Sequence, residues 1–199
     1  MRLIDRKKQD KRNRLLNSAY ECFTRRGMSG TTIAEICKRS GVAKGTFYLY
    51  FLDKDDIARE LNRRITFDLI HSAYDYMMEH RSQHLCDNLI TMADYTIDRF
   101  ERDRTLIKII KHDFIWPIRE ADLFAKDHEA LIPGILQIQE YAEKRNIPIR
   151  EILSVLYCIV CMIISVCYDA IIEENPATMD EMRPVIHRII RTQVPETQK

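Results

Sequence analysis

An all-α fold is predicted for this 199-residue chain by three observations. Apolar residues recur at three- and four-residue spacing along most of its length. Four of the five glycines crowd between positions 27 and 45, so the tight turns are local and the rest is free to form long helices. Alternating runs suited to a half-buried strand are scarce. The expected architecture is an N-terminal three-helix domain containing a helix-turn-helix, followed by a larger C-terminal helical domain.

The first helix is predicted from about Asp10 to Arg26. Leu15, Ala19 and Phe23 form its apolar stripe, with Leu16 and Cys22 beside them. Arg25 and Arg26 suit the negative end of the helix dipole, and Gly27 suits a left-handed cap. The basic run 6–14 reads either as a solvated helix start or as an arm grazing phosphate. A second helix opens at the capping box Thr32-x-x-Glu35, buries Ile33, Ile36 and Cys37, and stops at Ser40-Gly41. Val42 plugs the turn. A third helix runs from Ala43 to about Phe51, with Phe47 and Phe51 facing the core. Asp53 is the expected N-cap of a fourth, with Asp55 and Asp56 in its first turn.

Further helices are expected over about 54–80, 83–101, 104–114, 119–145, 149–174 and 179–193, punctuated by Pro117, Pro133, Pro148 and Pro176. Pro133-Gly134 implies a kink or a break inside one of them. The last begins at a second capping box, Thr178-x-x-Glu181. Met182, Val185, Ile186, Ile189 and Ile190 form its stripe, and Pro184 implies either a later start or a bend.

Charge is unevenly placed. The first fifty residues hold twelve Lys or Arg against four Asp or Glu, a net of +8, while the remainder carries −7. Such a split fits a polyanion partner for the first fifty residues; the plain alternative is a solvated basic surface. No apolar leader follows Met1, so a cytoplasmic chain with reduced cysteines is expected. Cys158-x-x-Cys161 lies in an apolar helix without a nearby His, and core packing is expected for both. The uncharged run 152–168 just reaches membrane-spanning length, but Ser154 and Ser165 interrupt it and no aromatic belt frames it. A buried helix, and no membrane, is the expectation. No glycine-rich phosphate loop, metal-ligand cluster or nucleophile beside a base is present, so no enzyme, catalytic residue, metal or cofactor is expected.

The helix-turn-helix carries the functional signal. Two helices joined through Ser40-Gly41-Val42 have the connection of a DNA-binding motif, whose second helix enters the major groove. Thr31 and Thr32 sit at a helix N-terminus, which favours phosphate. Lys44 can reach phosphate or a guanine edge, Gly45 allows close approach, Thr46 can touch a base, and Tyr48 and Tyr50 offer phenolic donors. The string Gly-Val-x-Lys-Gly-Thr-Phe-Tyr-x-Tyr-Phe-x-x-Lys from Gly41 to Lys54, within a wider match over about residues 8–60, closely resembles the N-terminal signature of the TetR (tetracycline-repressor) family. The resemblance implies DNA contacts at Thr31, Thr32, Lys44, Gly45, Thr46, Tyr48, Tyr50 and Lys54. It also implies a DNA-binding domain over 1–52, with helix 4 as connector, and an effector-binding and dimerisation domain over 53–199. Ala43 departs from the serine that many members carry there, and it can neither cap the helix nor touch DNA.

The implied protein is a repressor that binds a palindromic operator in double-stranded DNA. It would be a homodimer, joined through about 149–174 and 179–193, released by a small-molecule effector. The alternative is a DNA-binding protein of the same fold that answers to a protein partner, or an activator. Candidate effector contacts are Tyr95, His112, Phe114, Trp116, Tyr157 and Cys161, since aromatic rings with a few polar tips suit amphipathic ligands. Plain helix packing is the competing reading for each.

Overall fold

The structure is a computed structural model that describes residues 3–112 and 131–196, and all regular elements among them are helical. The chain divides into two compact units, Met1–Arg64 and Ile65–Lys199, with the boundary inside the fourth helix.

The first unit contains α1 (Leu3–Arg26), α2 (Ile33–Ser40), α3 (Lys44–Phe47) and the opening turns of α4 (Lys54–Glu79). The basic run belongs to α1, which begins earlier than periodicity suggested, because Lys, Arg and Gln favour helix without needing an apolar stripe. Helix α2 forms between two strong signals. Thr32 Oγ1 accepts from the Glu35 amide at 3.2 Å, and Glu35 Oε2 accepts from the Thr32 amide at 2.9 Å. At its far end Gly41 adopts φ 63°, and its amide donates to the Cys37 carbonyl. Asp53 caps α4 by accepting from the Asp56 amide at 2.7 Å.

Helix α3 is shorter than expected. Ala43 supplies no side-chain cap, and beyond Phe47 the chain tightens into i→i+3 bonds, Leu49 to Thr46 and Tyr50 to Phe47. The aromatic spacing survives this: Phe47 and Phe51 are both buried, their ring centroids 5.6 Å apart. Leu15, Ala19 and Phe23 of α1, Ile36 of α2 and Ile57 of α4 are buried as well. Each large side chain so buried contributes about 1.5–3 kcal/mol.

The second unit contains the rest of α4, then α5 (Leu85–Arg102), α6 (Arg104–His112), α7 (Ile132–Lys144), α8 (Ile149–Tyr168) and α9 (Met179–Gln193). One π-helical turn, Asp169–Glu173, extends α8. Helix α8 packs against α5, α6, α7 and α9. By length and composition Ile149–Glu173 could cross a membrane, but Ile152, Leu156, Ile159, Ile163 and Cys167 lie in this unit's core. Burial pushes the Cys167 thiol up to about 12, with Glu101 adding to it, so it is an inert packing group.

The opposite face of α8 corrects an expectation. Cys158 is exposed and Cys161 half-buried, because both fall away from the Ile152–Leu156–Ile159–Ile163 stripe. Pro133 lies in the first turn of α7, where its missing amide costs nothing; the expected helical stretch before residue 131 lies outside the described residues. Pro184 is accommodated inside α9, which starts at Met179 as its capping box dictates. The carbonyl that loses a partner belongs to exposed Asp180, which water can satisfy. Arg183 then ties α9 to α5, donating to Asp94, Asp98 and Glu101 at 2.9, 2.7 and 2.9 Å.

Candidate nucleic-acid interface and internal cavity

The turn after α2 sets the geometry of α3. Val42 is buried, which fixes the entry to α3, and Phe47 and Phe51 anchor the other side. What remains outward is Lys44, Gly45 and Tyr48, all exposed, with Thr46 and Tyr50 half-buried beside them. A Cβ added at Gly45 would meet nothing within 4 Å, so the glycine leaves a bare strip of backbone facing solvent. Leu49 and Leu52 are 77% and 79% exposed on the same stretch. They went unremarked in the sequence, where a leucine beside buried phenylalanines reads as core.

Three of the residues named from the sequence are already engaged inside the fold. Thr31 is buried, and its hydroxyl donates to the Gly27 carbonyl at 2.8 Å. Thr32 is exposed, but its hydroxyl serves the capping box. Lys54 is half-buried and donates to the Met28 and Thr31 carbonyls at 2.8 and 3.2 Å, which pins the loop before α2. Lys44, Gly45, Thr46, Tyr48 and Tyr50 therefore form the compact group, and Thr31 and Lys54 sit behind it.

The positive charge is partly spent within the unit. Arg12 pairs with Glu60 at 2.9 Å, Arg26 with Glu35 and Arg39 with Glu21. Arg14 donates to the Ser40 carbonyl at the C-terminal end of α2, where a cation is favoured. Lys38 and Lys44 are exposed and have no acidic partner among the described residues. Uncompensated charge thus lies on and beside the turn, and also along the start of α1, where exposed Arg6, Lys7, Lys8 and Lys11 have no acidic partner among the described residues.

The second unit holds a cavity of about 210 Å³. Its walls come from α4, α5, α7 and α8 with Ile110 of α6, and no charged side chain lines it among the described residues. The few polar groups include Thr66, Tyr74, Asn88, Thr96 and Gln137. Of the candidate effector contacts, Tyr95 stacks on Tyr76 with centroids 5.1 Å apart and is not part of the lining. Tyr157 is 45% exposed, and with Cys161 it lies on the outward side of α8. Phe114, Trp116 and the side chain of His112 are outside the described residues. The lining residues had a legible signal that went unused: Thr66, Ile70, Ala73, Tyr74 and Met77 repeat at helical spacing along α4. Gly134, the lone glycine beyond position 45, is the second. A Cβ there would stand 2.7 Å from Tyr74 Cε2, so the ring packs directly on the glycine.

Comparison with known proteins bears on both units. Residues 15–61 match the family described as bacterial regulatory proteins, tetR family. Over 107 residues the chain is 30% identical to the HTH-type transcriptional regulator AcrR of Shigella flexneri, an alignment covering 52% of this chain and 49% of that protein. The chain thus spans about half the length of that curated relative. Whole-chain likeness comes from solved structures. A TetR-family transcriptional regulator from Syntrophomonas wolfei superposes with a TM-score of 0.64 at 22% identity, covering 94% of this chain and 95% of that one. The FadR regulator of Bacillus subtilis, in complex with stearoyl-CoA, superposes at 0.60 and 17% identity, covering 93% and 98%. At such identities the structures establish the shared fold. The signature on α2 and α3 and the family match over residues 15–61 agree: that segment is similar to the DNA-binding part of bacterial regulatory proteins of the tetR family, and the chain shares the fold of solved TetR-family structures.

Proposed function

We propose that this chain is a cytoplasmic transcriptional repressor that binds a palindromic operator as a homodimer and releases it when a small molecule enters the second unit. The observation that carries the reading is the α3 surface: Lys44, Gly45 and Tyr48 presented outward on a segment anchored by Phe47 and Phe51. A helix held this way can enter the major groove, with Lys44 reaching phosphate or a guanine edge and Tyr48 and Tyr50 donating to phosphates. Exposed Leu49 and Leu52 can cover sugar or thymine methyl groups.

Two recognition helices must lie about 34–36 Å apart to enter successive major grooves, which requires a dimer. Support for one comes from α8 and α9, which turn Tyr157, Cys158, Val185 and Ile189 away from the core, fully or half exposed. The cavity supports a small-molecule effector over a protein partner. The FadR complex shows that this fold accommodates a ligand with a long apolar chain in another protein. An effector that favours one of two dimer states weakens operator binding, and the operator weakens effector binding equally.

The test is fluorescence anisotropy on duplexes selected from a random pool. The intact protein selects a two-fold symmetric site. Lys44→Ala lowers affinity for it at least tenfold while the oligomeric state and melting temperature stay unchanged. Affinity falls steeply with added salt, as counterion release demands. A protein that selects no duplex in dilute buffer would defeat the proposal.

A further inference from the structure

We propose that the molecule taken up by the second unit's cavity is uncharged and mostly apolar, and that it places one acceptor oxygen (ketone, ester or ether) against the Tyr74 hydroxyl. This rests on the reading of the cavity as a ligand site.

The first observation is a missing hydrogen bond. Tyr74 is 5% exposed and lines the cavity, and its hydroxyl donates to no acceptor; the Gly134 amide lies near enough to act on the oxygen, so the unused capacity is the O–H donor. Buried polar groups are nearly always partnered, and one left alone carries its desolvation cost uncompensated. Its neighbours are not in that position. Asn88 donates to the Ser82 carbonyl and to Gln137 Oε1, both at 3.0 Å, and its own oxygen accepts from the Ser82 amide at 2.8 Å. Thr96 donates to the Met92 carbonyl at 2.8 Å. Among the described residues, Tyr74 is the lining group whose buried hydroxyl lacks a partner, and its ring is held in place by its packing on Gly134. Burial raises the phenol's pKa, against smaller pulls from the Gly134 backbone and Arg81, so at neutral pH it stays protonated and able to donate.

The second observation is the absence of counter-charge. No Lys, Arg, His, Asp or Glu lines the cavity among the described residues, and an unpaired ion there would carry a large desolvation cost. A polar cleft shares Leu85 and Gln137 with the cavity and could in principle take an anionic head group. Of the Lys and Arg side chains that line it, Lys144 and Arg145 are committed, and Arg81 is exposed without an acidic partner among the described residues. Lys144 pairs with Glu140 at 2.6 Å; Arg145 donates to the Pro195 and Glu196 carbonyls and lies 3.9 Å over the Tyr141 ring. Glu140 and Glu196 line the same cleft and would repel an anion. A neutral ligand avoids all of these costs.

The test uses four probes of matched size on the full chain: methyl octanoate, nonanoate, octylamine and butylbenzene, with affinities from titration calorimetry and operator binding followed in parallel. Methyl octanoate is expected to bind at least tenfold tighter than nonanoate or octylamine. Tyr74→Phe should weaken methyl octanoate about five- to tenfold and leave butylbenzene unchanged. The same variant, free of ligand, should melt no lower than the parent, because it removes an unpaired hydroxyl and keeps the ring; this separates a binding role from a structural one. Tightest binding by nonanoate, or no effect of Tyr74→Phe on the ester, would overturn the proposal. If none of the four binds, the ligand-site reading falls with it. If the ester binds as described but operator affinity does not change, the ligand chemistry stands and the effector reading fails.

Discussion

The two units of this chain bury apolar surface with similar residues to different ends. In the first, Leu15, Ile36, Phe47 and Ile57 are fully buried, a capping box and a glycine cap bound α2, and Asp53 caps α4. In the second, Tyr74, Met77, Leu131 and Ile135 form a small cluster of their own beside the main core, and members of both line the cavity. A closed core holds a surface in one shape, which is what presenting Lys44 to DNA demands. An incompletely filled one leaves packing energy that a guest can supply. On the proposed function, the difference separates a unit that reads from a unit that can be switched.

The largest contrast is expected from adding the same three carbons to each interior. Ala19 is fully buried in the first core, whereas Ala93 is buried at the cavity wall. Ala19→Leu should cost about 1–3 kcal/mol through overpacking. Ala93→Leu should cost less than about 1 kcal/mol, because its new atoms enter empty space, and it should reduce binding of any cavity ligand. Hydrogen exchange resolved by segment reads the two units separately. Equal destabilisation by both would erase the distinction between a closed and a hollow core.

A pair of glycines gives a smaller effect that splits stability from function. At Gly134 an added methyl strikes the Tyr74 ring at 2.7 Å, so Gly134→Ala displaces that ring and should destabilise the second unit by about 1 kcal/mol. At Gly45 the space is open and the backbone helical, so Gly45→Ala should be neutral or stabilise by roughly 0.5–1 kcal/mol. Operator affinity should nonetheless fall for Gly45→Ala if bare backbone there approaches the groove wall. Thermal melts and anisotropy on the two variants check both halves.

What could be read in the sequence follows the same division. Both capping boxes, the Gly41 cap and the inward Phe47 and Phe51 were legible, because each depends on residues within a few positions of one another. The cavity was not. An apolar stripe such as Ile70–Tyr74–Met77 shows which face of α4 turns inward, but not whether the facing helices close over it. Choosing candidates by aromatic type led to Tyr95 and Tyr157, which lie elsewhere. Lys54 carries two readings: its place in the string implies a DNA contact, and in the structure its ammonium donates to two backbone carbonyls.

The two units should differ least in their capping boxes, which makes those the most sensitive control. Glu35 and Glu181 each have a lowered pKa, in both cases chiefly because the carboxylate accepts from the backbone amide of the N-cap threonine, Thr32 or Thr178. A carboxyl whose folded pKa lies below its unfolded value stabilises the fold above the unfolded pKa and stops doing so as pH falls through the folded one. Each box should therefore weaken on acidification below the ordinary carboxylate range of about 4.3 and be indifferent to pH near neutrality. Glu35→Gln and Glu181→Gln should each flatten the acid limb of the stability curve slightly and alike, read as melting temperature against pH. A clearly larger change for Glu35 would show that its pairing with Arg26 adds to the box, an extra tie that Glu181 lacks among the described residues.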